Sequence, residues 1–256
     1  MKKFITYLFV VTLTFLCSIT LPLLAQSSNE LTVSAAGSLT RVLEEIKPIY
    51  EQKNPEIKLV YNFGASGSLQ QQIEQGAPVD IFFSAAAKQM DGLASKNLII
   101  PETRRDLLTN DLVLIAPTNL ATIASFEDLT KSEVQKIAIG DPASVPAGQY
   151  AEETLKFYGI LEEVKDRLVY GTNVTQVLTY VESGNVDAGM VFLTDAKTTE
   201  KVKIVSTAAP ESHSPIVYPI AIIKDSKQPE IAKEFIDFLA SSEGQIVFNK
   251  YGFKLK

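Results

Sequence analysis

From Leu31 onward the chain alternates short apolar runs with amphipathic stretches, and most runs end in a small or hydroxylated turn. Leu31-Thr32-Val33-Ser34-Ala35-Ala36 reads as a buried strand. Gly37-Ser38 breaks it, and Leu39, Val42, Leu43 and Ile46 then fall at helical spacing. Ile57 to Phe63 reads as a second strand, Gly64-Ala65-Ser66-Gly67-Ser68 as its turn and Leu69 to Gln75 as a short helix. Gly76-Ala77-Pro78 ends that helix before a strand over Asp80 to Ser84. Further strands are expected at 112–116, 137–139, 168–170, 188–191 and 220–223, with helices at 151–158, 174–181 and 231–239. Pro48 is expected to kink or shorten the first helix, because it lacks an N–H and crowds the preceding turn. The alternation predicts an α/β architecture of mainly parallel sheets flanked by helices. With 256 residues, 46% of them hydrophobic, the chain can bury one large core or two ordinary ones.

The N-terminus and the rare residues narrow the chemistry. Lys2 and Lys3 precede an apolar stretch from Phe4 to Leu24, and Ala25 is a small residue ahead of the polar run Gln26-Ser27-Ser28-Asn29-Glu30. Residues 1–25 therefore read as a secretory signal cleaved after Ala25. An uncleaved anchor is the alternative, since the stretch is about long enough to span a bilayer. Leu16 before Cys17 is too large for a lipid-attachment site. Cys17 is the only cysteine and departs with the signal, which rules out disulfides, thiolate catalysis and Cys-ligated metal. One histidine, His213, excludes a His-based metal cage. Beyond residue 25 the 22 bases and 30 acids leave a net charge of −8 without a basic run. Nucleic acids and anionic membrane surfaces are poor partners for such a chain.

In open α/β sheets ligands sit beyond the carboxyl ends of strands, where the chain turns into the next helix. Four such turns here carry small or hydroxylated residues and no Lys or Arg: Ser38, Ser66 to Ser68, Pro146-Ala147-Gly148, and Gly171-Thr172-Asn173 ahead of Val174. A helix N-terminus has unpaired N–H groups and about half a positive charge, so several facing one cleft would hold an anion. For any single turn, plain helix capping is the simpler reading.

Ala35-Ala36-Gly37-Ser38-Leu39-Thr40, Phe63-Gly64-Ala65-Ser66-Gly67-Ser68-Leu69, Gly76-Ala77-Pro78-Val79-Asp80-Ile81-Phe82 and Gly140-Asp141-Pro142-Ala143-Ser144-Val145-Pro146-Ala147-Gly148 follow one another in order, with Tyr218-Pro219-Ile220-Ala221 and Tyr251-Gly252-Phe253 after them. This set resembles the periplasmic molybdate-binding proteins of ABC transporters from Leu31 to the end. The resemblance implies a two-lobed, type II periplasmic-binding-protein-like fold. Lobe I would take residues 26–113 and 219–256, and lobe II residues 114–218. It implies a non-enzymatic protein with no cofactor; with the signal segment the expected location is the periplasm, and nothing in the sequence suggests more than a monomer. Such a protein captures molybdate or tungstate between the lobes and hands it to a membrane ABC permease. Carried over by position, the ligand groups are the hydroxyls and N–H groups of Ser38 and Ser66 and the backbone N–H groups of Ala147 and Val174. Any metal enters only as the oxyanion. Phe192 stands where well-known members have a ligand tyrosine and brings no hydroxyl; Asn173, Thr172 and Thr194 are candidates to compensate.

Two other readings remain open at this level. One is a binding protein for another oxyanion such as sulfate. The other is a secreted hydrolase using Ser66, although position 68 is Ser where a nucleophile elbow needs Gly. His213 reads as a solvated loop residue, and Asp80 and Asp141 as turn or cap residues beside Pro78 and Pro142.

Overall fold

The computed structural model describes residues 29–120 and 122–256; the signal segment expected at 1–25, with Cys17, lies outside the described residues. Strands β1 (Asn29–Ala36), β2 (Ile57–Gly64), β3 (Ile81–Phe83), β4 (Arg105–Thr109), β10 (Val217–Ile222) and β11 (Lys254–Leu255) form one sheet. Its order is β11-β4-β10-β3-β1-β2. Strands β5 (Leu112–Pro117), β6 (Ile137–Gly140), β7 (Leu168–Gly171), β8 (Ala188–Phe192) and β9 (Val202–Thr207) form the other, in the order β7-β6-β8-β5-β9. The helices are α1 (Thr40–Lys53), α2 (Ser66–Glu74), α3 (Ala87–Ser95), α4 (Pro146–Phe157), α5 (Leu161–Val164), α6 (Val174–Glu182), α7 (Leu193–Ala196), α8 (Pro229–Ala240) and α9 (Ser242–Lys250).

The chain leaves the first sheet after Thr109, passes through Asn110 and Asp111, and enters the second at Leu112. It returns between Thr207 and Val217. Each sheet with its helices is one lobe of an α/β protein.

Both sheets are mixed, which corrects the expectation of mainly parallel ones. Pairing is parallel where helices link the strands, β1 with β2 and β3, and β6 with β7 and β8. It is antiparallel where the crossing segments dock. Thus β10 runs against β3 and β4, and β5 against β8 and β9. A strand that arrives from the other lobe enters its sheet from the opposite end, so it cannot share the direction of the helix-linked strands.

Pro48 does not end α1, which continues to Lys53. Its missing N–H frees the carbonyl of Glu44; Glu44 and Pro48 both lie on the exposed side of the helix, where water can take that bond. The opposite side, with Leu39, Leu43 and Ile46 fully buried, packs on a first sheet whose Leu31, Val33 and Ala35 are equally buried.

Candidate functional site

Four helix starts meet in the gap between the lobes. From lobe I come Gly37 and Ser38 after β1, and Ala65 and Ser66 after β2. From lobe II come Val145, Pro146 and Ala147 at the start of α4, Asn173 and Val174 at the start of α6, and Phe192 at the end of β8. Together with Ala36, Gly64 and Ala85 they line a cavity of about 10 Å³, the space of about one water-sized sphere. Of the residues singled out in the sequence, Ser38, Ser66, Ala147, Val174, Phe192 and Asn173 stand on its wall. Thr172 and Thr194 do not.

The wall contains no Lys, Arg, Asp, Glu or His. Its polarity comes from hydroxyls and from the free N–H groups of the first helical turns. Ser66 is fully buried, and its Oγ accepts from the Ala85 N–H at 3.0 Å, which leaves its hydroxyl hydrogen available. The Ser38 Oγ lies 3.0 Å from the Tyr218 hydroxyl. Asn173 caps α6, its Oδ1 accepting from the Gln176 N–H at 2.9 Å, so its side-chain oxygen is already engaged. Phe192 is 1% exposed and packs its ring 5.7 Å from that of Tyr218.

The lobes touch at the rim. The Gly67 N–H donates to the Ser144 carbonyl at 2.9 Å, and a Cβ on Gly67 would come within 2.7 Å of that oxygen. Only glycine permits this approach. Gly148 plays a comparable part inside lobe II, where a Cβ would come 2.0 Å from the Gly140 carbonyl as α4 begins over β6.

Next to this cavity lies a second one of about 140 Å³, lined from both lobes by Ser38, Arg41, Thr194, Asp195, Tyr251 and others. Asp195 is buried there with its Oδ2 unpartnered. Loss of solvent pushes its pKa up to about 7, against the weaker pull of Arg41 and of a backbone hydrogen bond at Phe192.

Other candidates are placed elsewhere. His213 follows a 3-10 turn, its Nδ1 lies 2.8 Å from the Ser214 carbonyl, and it lines a separate cavity with Asn110 and Ala208. Asp141 accepts from the Ala143 N–H and the Ser144 hydroxyl and acts as the expected turn residue. Asp80 instead accepts from the distant Thr32 N–H and Ser226 hydroxyl, tying β1 to the segment after β10, which corrects its reading as a turn residue. No group of three or more His, Cys, Asp or Glu suited to a metal ion occurs among the described residues.

The sequence model for bacterial extracellular solute-binding proteins matches residues 31–254. The chain belongs to that family. Among curated members, this solute-binding protein is 48% identical over 224 residues to the putative ABC transporter substrate-binding lipoprotein YvgL of Bacillus subtilis, covering 87% of this chain and 85% of the relative. It is 40% identical over 234 residues to the molybdate-binding protein ModA of Haemophilus influenzae, covering 90% and 92%. Among solved structures, the Azotobacter vinelandii periplasmic molybdate-binding protein superposes with a TM-score of 0.80 at 25% identity, over 88% of this chain and 99% of that one. The substrate-binding domain of a putative molybdenum ABC transporter from Clostridium difficile gives 0.69 at 45% identity, over 88% and 98%. The solute-binding protein therefore has the two-lobed, type II architecture. No helix among its described residues is long and apolar enough to cross a membrane.

Sequence reading missed the residues behind the wall. Asn110 and Tyr218 reach Ser38 through side-chain hydrogen bonds although 108 residues separate them. Tyr218 was visible as part of Tyr-Pro at the returning crossing; no local pattern marks Asn110.

Proposed function

We propose that the protein is the substrate-binding component of an ABC import system for molybdate, with tungstate as its close substitute. It would work as an exported protein in the periplasm and deliver the ion to a membrane permease. The observation that carries this reading is the composition of the wall: helix N-termini and two serine hydroxyls from both lobes around one small cavity, with no charged side chain. A tetrahedral dianion can accept a hydrogen bond from every such donor, and the helix ends favour its charge. Monohydrogen phosphate carries an O–H that needs an acceptor, and no carboxylate lines the cavity to supply one. Sulfate matches in charge and shape, so its rejection falls to the size of the cavity. The names of the ModA relatives support molybdate over sulfate. Contacts from both lobes stabilise the closed arrangement over an open one, and the closed surface is what a permease can read.

The hydrolase reading finds no base. His213 and every carboxylate lie off the wall that holds Ser66, and the Ser66 Oγ accepts a backbone hydrogen bond rather than facing a proton acceptor. Titration calorimetry with molybdate, tungstate, sulfate and phosphate tests the proposal. The expected result is tight 1:1 binding of the first two alone. Equal heats with all four, or none with any, would overturn it.

A further inference from the structure

We propose that Asn110 and Tyr218 are positioning residues that fix the Ser38 hydroxyl as a hydrogen donor toward the anion, through the juxtaposition Asn110 Nδ2, Tyr218 hydroxyl, Ser38 Oγ. The inference rests on the oxyanion reading and deepens it. Its first step is the orientation of the Asn110 amide. The Oδ1 accepts from the Asp111 backbone N–H at 2.9 Å, and a backbone N–H can only donate, so the amide cannot be turned over. The Nδ2 therefore faces the other way, and its two hydrogens go to the Thr194 Oγ1 at 2.8 Å and the Tyr218 hydroxyl at 3.1 Å.

The second step is the direction of the Tyr218–Ser38 bond. Tyr218 is fully buried, and burial holds its phenol well above the ordinary tyrosine pKa, so it keeps its proton. Its oxygen already accepts from Asn110. The Ser38 Oγ at 3.0 Å is the remaining partner within hydrogen-bond reach among the described residues. Were Ser38 the donor, the Tyr218 hydrogen would be buried with no acceptor, which is a costly arrangement. Tyr218 therefore donates, and Ser38 accepts.

The third step follows directly. The Ser38 Oγ has no other hydrogen-bond partner among the described residues and stands on the cavity wall, so its own hydrogen is left for the ligand. Ser66 reaches the same state by a different route, its oxygen engaged by the Ala85 N–H. Each serine thus has a fixed donor behind it and a free hydrogen in front. For Ser38 the donor is built beside the two passages between the lobes, from Asn110 in the outgoing crossing and Tyr218 in β10, just after the returning one. Thr194 in lobe II anchors the other end. The polarity of a ligand group is set where the molecule would bend.

Molybdate calorimetry on a double-mutant cycle tests this. Tyr218→Phe keeps the ring that packs on Phe192 and Phe253 and is expected to weaken binding about three- to tenfold, the loss of one orienting hydrogen bond. Ser38→Ala is expected to weaken it about ten- to a hundredfold. Adding Tyr218→Phe to Ser38→Ala should then change little, within about twofold, because the relay acts through Ser38 alone. Asn110→Ala is the second variant, with the same dependence on Ser38 and a smaller effect. Melting curves without ligand identify any variant that fails to fold, and the other variant then carries the cycle. Losses of equal size in both backgrounds, or no loss from either substitution, overturn the relay and leave the oxyanion reading standing. A wild type that gives no heat with any of the four anions overturns both.

Discussion

Phe192 closes one side of the cavity with hydrocarbon, wedged between the Tyr218 ring at 5.7 Å and the Tyr150 ring at 6.2 Å. A buried aromatic there adds packing and excludes water, which strengthens the remaining donors by lowering the local dielectric. It adds no hydrogen bond. A bond to a charged acceptor is worth roughly 1.5 to 3 kcal/mol, and at the upper end a phenol would outweigh the cost of fitting one more oxygen into a packed wall. Phe192→Tyr is therefore expected to tighten molybdate binding by about tenfold, read by calorimetry. Unchanged or weaker binding would show that the four donor positions already saturate the ion and that the ring is there for packing.

At the scale of elements, the start of α2 governs closure. Gly67 lets α2 approach the Ser144 backbone so closely that a methyl group would meet its oxygen at 2.7 Å and its Cα at 2.8 Å. Those atoms belong to the other lobe's main chain and cannot rotate away. Alanine otherwise suits a helix better than glycine. Gly67→Ala should thus leave the ligand-free melting temperature unchanged or slightly raised while weakening molybdate binding tenfold or more, since it acts only when the lobes meet. A parallel fall in ligand-free stability would show instead that the contact holds the resting molecule together.

These same turns explain what was legible in the chain itself. The turns that hold Ser38, Ser66, Ala147 and Val174 are legible because each is a strand-to-helix junction, where apolar runs, a breaker and helical spacing are all local signals. Which residue of each turn serves the ligand is what the family resemblance implies. Strands β4 and β9 were not anticipated. Arg105-Asp106 and Lys203 interrupt their apolar pattern, and their pairing with β10 and β5 is decided by distant partners. Asn110, and the link it makes to Tyr218, were hidden for the same reason, since only the fold brings the two residues together.

Among the described residues, Asp195 is the one buried carboxyl, set between the lobes, and at the scale of the whole molecule it should show in the pH dependence of stability. Folded Asp195 holds its proton up to about pH 7, whereas an unfolded aspartate releases it near 3.8. Between those values the native state binds the more protons, so stability falls as pH rises. The contribution is complete below about pH 4 and is lost on passing through pH 7. The largest slope from one such group is roughly 1.4 kcal/mol per pH unit. Carboxylates in surface ion pairs, such as Glu45 with Lys250 and Asp237 with Lys233 and Arg105, have lowered pKa values and act in the opposite sense at more acidic pH. Asp195→Asn isolates the effect, because the amide has nearly the same shape and cannot ionise. Relative to wild type, the variant should gain stability at pH 8 over pH 5, measured by denaturant unfolding at both values. Asp195 shares its cavity wall with Ser38, so the measurement is made without oxyanion to keep ligand charge out of the balance. A difference between variant and wild type that stays constant with pH would mean that the carboxyl is solvated in the folded protein and that the two lobes are looser around it than the closed geometry shows.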